Sequence, residues 1–149
     1  MSWPPELPPG YRFEPDPAAW DRDAMHAFLS ETYWTPGLLR ENMDRAIEHS
    51  FGVAVFAGTV QAGFARVVTD RTRFCYLSDV FVLPHHEGRG LARAMVQWFH
   101  DHPELATVTR WMLVTRDAHG VYEGVGYGPP DDAEWHMQRK VRHGERPPT

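Results

Sequence analysis

The stretch YLSDVFVLPHHEGRGLARAMVQWF, residues 76–99, decides the fold. Its first part is an apolar run broken only by Ser78 and Asp79 and ending at Pro84. The polar link His85-His86-Glu87 follows, and Gly88-Arg89-Gly90 then opens a segment with apolar residues at helical spacing: Leu91, Met95 and Trp98, with Ala92, Val96 and Phe99 on a second stripe. The pattern predicts a buried strand, a glycine turn and a buried helix. The first turn of a helix carries N–H groups without intrahelical partners at the positive end of its dipole. Glycines just before it let an anion approach the main chain closely. Taken alone, these residues fit an anion seat and an ordinary strand-to-helix turn equally well.

Two standard phosphate loops are excluded. Gly-x-x-x-x-Gly-Lys-Ser/Thr occurs nowhere in the chain. The dinucleotide fingerprint requires Gly or Ala three residues after its second glycine, where this chain has Arg93.

The turn resembles the acyl-CoA pyrophosphate loop of the GNAT superfamily of N-acetyltransferases. That family ends its fourth strand in Val-x-Pro-x-x-Arg/Gln-Gly-x-Gly-x-Gly/Ala, and here the sequence is Val82-Leu83-Pro84-His85-His86-Glu87-Gly88-Arg89-Gly90-Leu91-Ala92. Downstream, Tyr122-Glu123-Gly124-Val125-Gly126-Tyr127 matches the family's Tyr-Glu-x-x-Gly-Phe/Tyr segment in order and distance. The resemblance covers roughly residues 11–141.

At 149 residues the chain suits one domain with one core. A net charge of −5 without long runs of either sign argues against nucleic acid as a partner, although Arg89 and Arg93 leave a local basic patch for a small anion. No apolar run is long enough to span a bilayer, and the start lacks the basic and apolar regions of a signal peptide; the expectation is a cytoplasmic protein. Cys75, the single cysteine, reads as a buried inert thiol within a strand. The scattered histidines suggest no metal site.

Residues 1–10 carry four prolines and read as a flexible extension, residues 11–141 as the single domain, and residues 142–149 as a frayed tail. Residues 11–14 are expected as a strand. Residues 18–29 follow as an amphipathic helix carrying Trp20, Met25, Phe28 and Leu29, and residues 38–49 as a second helix. Three strands at 51–57, 61–69 and 74–83 predict an antiparallel meander. After the helix at 89–100 come a strand at 108–114, a short helix through Tyr122 capped by Asp117, and a last strand at 135–141. The order predicts an α/β (α+β) fold with a mixed, largely antiparallel twisted sheet flanked by helices. In the family that the chain resembles, strands four and five splay apart to form the acyl-CoA cleft.

That resemblance implies acetyl-CoA as the acyl donor, with coenzyme A as product. The main chain of Val80, Phe81 and Val82 would pair with the pantetheine arm, with a nearby N–H polarising the thioester carbonyl. The loop from Glu87 through Gly88, Arg89, Gly90, Leu91, Ala92 and Arg93 would hold the pyrophosphate. Glu87 stands where the family usually has Arg or Gln, so its side chain should turn outward or cofactor affinity drops. Thr115, where the family often has Asn, and Asp117 in the same segment complete the expected cofactor contacts. Tyr122 matches the tyrosine that protonates the departing thiolate; a phenol with an ordinary pKa near 10 is protonated at neutral pH. Read without the family, it is a core tyrosine at a helix end.

Asp79 is costly to bury without partners. It either bonds to a neighbouring turn or faces the acceptor, anchoring its ammonium or relaying its proton. Residues 30–37 hold Glu31, Tyr33 and Trp34, which either cover the core edge or wall a substrate pocket, Glu31 holding an ammonium and an aromatic packing on it. The expected reaction is acetyl transfer to a primary amine of a small molecule by direct attack in a ternary complex. Polyamines, amino acids, aminoglycosides and protein N-termini all fit as acceptors. Against this stand a CoA-binding or interaction module without turnover, which Glu87 favours, and a purely structural domain. Exposed aromatics and edge strands suggest, by analogy with such folds, a homodimer.

Overall fold

A computed structural model describes residues 3–141. Five strands form one sheet in the order β1-β2-β3-β4-β5: β1 (Tyr11–Glu14), β2 (Phe51–Ala57), β3 (Val60–Thr69), β4 (Phe74–Val82) and β5 (Arg110–Met112). The first four pair antiparallel as a meander, and β4 pairs with β5 in parallel. Helices α1 (Arg22–Leu29) and α2 (Arg40–Glu48) precede β2; α3 (Leu91–His100) links β4 to β5, and α4 (His119–Glu123) follows β5.

Alternation along the strands sends side chains to two cores. Val53 and Val55 of β2 pack with Val67, Leu77 and the α3 residues Leu91, Met95, Val96 and Phe99 on one face. Ala54 and Phe56 pack with Phe64, Phe81 and the α1 and α2 residues Met25, Leu29, Met43 and Ile47 on the other. With both faces covered, the middle of β2 is buried without interruption, which explains its continuous apolar sequence. Gly63 has no room for a side chain: a Cβ there would stand 2.8 Å from the carbonyl oxygen of Phe81 on the neighbouring β4 and 3.1 Å from Cε of Met95 on α3. Cys75 is buried within β4, as expected.

Several boundaries differ from the sequence reading. The helix expected over 18–29 is a 3-10 turn at Pro17–Ala19 and then α1, because Asp21 accepts from the Ala24 N–H and starts a new helix after the buried Trp20. α2 begins at Arg40 rather than 38. The strand expected over 108–114 pairs only at Arg110–Met112. Asp117 does not cap α4; the Thr115 hydroxyl accepts from the Ala118 N–H instead. The strand expected over 135–141 is absent: a 3-10 turn at Ala133–Trp135 ends in irregular chain, with Trp135 and Met137 exposed. Trp135, Met137 and Val141 alternate with polar residues as a strand would, but the start of the segment is pinned as a turn, with Asp132 accepting from both His136 and Arg110. These two donors hold the Asp132 carboxyl at about 2. The tail at 142–149 lies outside the described residues.

In the described part of the N-terminal segment, the Trp3 indole donates to the Trp98 carbonyl at 2.9 Å and its ring lies 4.7 Å from that of His102. Among the described residues no helix is long and apolar enough to cross a membrane.

Two measurements check this packing. Gly63→Ala should destabilise the fold by about 1–3 kcal/mol, since backbone blocks the added methyl; a denaturant midpoint equal to wild type contradicts the close approach. Burial also holds the imidazoles of His100 and His102 below the ordinary histidine value. Their contribution is complete above pH ~6.5 and is lost as pH falls below it, because there the unfolded chain binds the extra protons. The thermal midpoint should therefore drop between pH 6.5 and 5, and a flat midpoint over that range contradicts it.

Candidate active site

The ladder between β4 and β5 runs only from Phe74↔Arg110 to Tyr76↔Met112. Beyond Tyr76, β4 continues to Val82 with β3 on one side and, among the described residues, no strand on the other, so β4 and β5 part at the end leading into the glycine turn. Here β4 also carries a bulge. Phe64 faces Phe81 and Arg66 faces Ser78, so Asp79 and Val80 together oppose Ala65. Asp79 takes φ +53°, a left-handed conformation that aspartate tolerates better than most residues.

The turn itself is built from left-handed glycines. Gly88 has φ +76° and Gly90 φ +77°, and no atom lies within 4 Å of where a Cβ would sit on either. Gly90 caps α3 without a side-chain bond, and its carbonyl accepts from Ala94. Among the described residues, the N–H groups of Gly88, Arg89, Gly90, Leu91, Ala92 and Arg93 have no protein acceptor. Residues 87–90 are exposed, so the corner is open. Six free donors at the positive end of a buried ten-residue helix form a seat for a polyanion.

Arg93 joins this corner to α4, donating to the carbonyl of Gly124 at 3.1 Å. α4 carries Tyr122, whose phenol is pushed above its ordinary value by burial and, to a lesser extent, by Tyr33 and Asp117. Tyr127, from the same motif, bonds through its hydroxyl to Nε2 of His100 at 2.9 Å, and burial raises its phenol further. A cavity of about 610 Å³ runs along β5 and borders Thr115, His119 and Tyr122. It includes none of residues 88–93; the anion seat is an open corner beside it.

Residues 30–37 cross both arms of the splay. On the β4 side, the Trp34 indole donates to Asp79 at 2.9 Å. On the β5 side, the Tyr33 hydroxyl accepts from the Arg116 N–H at 2.9 Å, and the Arg116 guanidinium lies 3.9 Å from the Tyr33 ring centroid. Glu31 is exposed at the start of the crossing. Asp79 also accepts from Arg66 at 2.7 Å. Phe81 is buried under Phe28, with the rings stacked at 4.6 Å, while Val80 and Val82 are half-buried. The fold thus brings Asp79, Val80, Tyr33, Trp34, Thr115 and Tyr122 to the two sides of one opening. Arg66 and Arg116 were not singled out in the sequence. An arginine inside the apolar strand Gly63-Phe64-Ala65-Arg66-Val67, next to a strand holding an aspartate, was the available signal for the first.

The chain matches the model of the acetyltransferase (GNAT) family over residues 12–127. A Gibberella zeae protein described as a candidate acetyltransferase is 30% identical, with 88% of this chain and 85% of that protein covered. A crystal structure of a Xanthomonas campestris protein assigned to the GNAT family superimposes with a TM-score of 0.86 at 38% identity, covering 89% of this chain and 94% of the other. A Clostridium acetobutylicum acetyltransferase structure with acetyl-CoA shares the fold alone, with a TM-score of 0.62 at 14% identity over 87% and 94% of the two chains. The chain belongs to the GNAT acetyltransferase family and is an acyltransferase.

A difference absorbance titration of wild type against Tyr122→Phe should place the Tyr122 ionisation above pH 10, because burial disfavours the phenolate. A transition at or below 10 contradicts the burial of this hydroxyl.

Proposed function

We propose that this chain transfers an acetyl group from acetyl-CoA to a primary amine of a small molecule, by direct attack in a ternary complex. The observation that carries the reading is the row of acceptor-free N–H groups from Gly88 to Arg93, next to the opening between β4 and β5. Acetyl-CoA supplies the activated acyl thioester; the residues of the chain bind, orient and protonate. The amides of the turn would hold the diphosphate, with room for close approach at Gly88 and Gly90. Glu87 is exposed, so its carboxylate has space to turn from the phosphates while its main chain stays in the loop. The edge of β4 at Val80, Phe81 and Val82 would align the pantetheine arm, with Thr115 and Asp117 across the opening.

Tyr122 fits the acid. Its raised pKa keeps the phenol protonated at neutral pH and able to donate to a departing thiolate. Tyr33 and Trp34, with Glu31 at the rim, would form the acceptor wall. Because Tyr33 already carries the Arg116 guanidinium against its ring, a cationic acceptor would meet Trp34 or Glu31 rather than that face. A homodimer belongs to the same reading.

Following thiol release from acetyl-CoA across a panel of polyamines, amino acids, aminoglycosides and N-terminal peptides should show release that depends on an amine. Coenzyme A binding without release on any amine would favour a binding module. Tyr122→Phe should lower kcat about 10²-fold while the coenzyme A Kd moves less than about threefold; an unchanged kcat removes Tyr122 from the acid role. Gly90→Asp, which adds charge and a side chain at a left-handed position, should abolish coenzyme A binding.

A further inference from the structure

Asp79 was a candidate to anchor the acceptor ammonium or relay its proton, yet the structure commits both of its oxygens. Oδ2 accepts from Nε of Arg66 at 2.7 Å, and Oδ1 accepts from the indole of Trp34 at 2.9 Å. The side chains of Arg66 and Asp79 are only 15% and 11% exposed. The rest of the guanidinium is also occupied: Nη1 donates to the Ser50 hydroxyl at 2.8 Å and Nη2 to the Ser78 hydroxyl at 3.3 Å. Four segments therefore meet at one ion pair: the chain entering β2, the middle of β3, the bulge of β4 and the crossing link at 30–37.

Each oxygen of the Asp79 carboxylate already accepts from a donor of the chain, so neither is held open toward an acceptor amine. That opposes use of the carboxylate as a base. The same bonds hold Asp79 at φ +53°, in the bulge directly before Val80. We propose that Arg66 and Asp79 form a positioning pair that fixes the β4 bulge and, through Trp34, the acceptor wall, so that the edge of β4 and the acceptor side of the opening are set by one clasp. Arg66 is then a positioning residue for acyl transfer, and Asp79 does not carry the proton. Tyr33, bonded to Arg116, makes the second attachment of the same link on the far arm of the splay. The catalytic consequence rests on the acyltransferase reading above; the clasp itself does not.

Two experiments on the full chain separate these layers. In hydrogen exchange without any ligand, Trp34→Phe keeps a ring at an exposed position and removes the indole N–H. It should speed exchange of the hydrogen-bonded amides of Glu31, Thr32 and Gly37 by about tenfold, with α3 unchanged. Equal exchange in variant and wild type overturns the clasp, whether or not the protein binds coenzyme A. In the second experiment, thiol release from acetyl-CoA with water as acceptor is followed from pH 5.5 to 9. Asp79→Asn and Arg66→Met should each lower the rate about tenfold, the double variant should lie within about twofold of either, and the acid limb should keep its position. Loss of the acid limb in Asp79→Asn would make Asp79 the base and overturn the proposal; a near wild-type rate in Arg66→Met, or multiplied losses in the double variant, would overturn it by uncoupling the pair. Coenzyme A Kd values within about twofold across these variants show that the seat is intact; failure of wild type to bind coenzyme A would strike the function reading and leave the clasp standing.

Discussion

A helix cannot satisfy the N–H groups of its own first turn, and among the described residues no side chain does so for α3. Gly90 occupies the capping position where Ser, Thr, Asp or Asn would ordinarily supply an oxygen. α3 is nonetheless held firmly, because Leu91, Met95, Val96, Trp98 and Phe99 are buried against the sheet. Packing thus fixes the helix and leaves its positive end free for a ligand. That end adjoins the edge of β4 left open by β5, and Arg93 ties the same turn to the helix that carries Tyr122.

The β4 bulge is the second element on which the arrangement depends. An extra residue in one strand breaks the ladder locally and re-aims the chain. It sits where Asp79 is clamped by Arg66 and Trp34 and where the parallel pairing with β5 has already ended. A neutralised ion pair at this place suits a scaffold function. On the proposed reading the proton is donated by Tyr122, whose phenol is pushed above its ordinary value by burial.

Much of this was legible in the sequence, for identifiable reasons. The closely spaced apolar runs at 51–57, 61–69 and 74–83 and the helical stripes of residues 91–99 come from side chains that must be buried, so the meander and α3 follow from them. The glycines of the turn are visible because only their conformation suits it. What depended on long-range partners was not legible. Asp79 gave no sign of its bulge, since the left-handed φ goes with a register shift against β3 and with bonds to Arg66 and Trp34 that are distant in sequence. Nothing local tells that Trp34 reaches a residue 45 positions away, or Tyr33 one 83 away. The segment from Trp135 has the alternation of a strand but no strand beside it among the described residues, and Asp132 turns its start by accepting from Arg110 and His136. Asp117 looked like a cap, but α4 has no side-chain cap among the described residues, and the Thr115 hydroxyl accepts from the Ala118 N–H just before it.

The central claim is that the main chain entering α3 receives a diphosphate. Titration of the isotopically labelled protein with coenzyme A, observed by amide NMR, tests it most directly. The account predicts that the resonances of Gly88 to Arg93 move together and farthest, that phosphate-free pantetheine leaves them in place, and that Gly90→Asp removes the response. Shifts confined to other parts of the chain, or equal shifts with pantetheine, would contradict it.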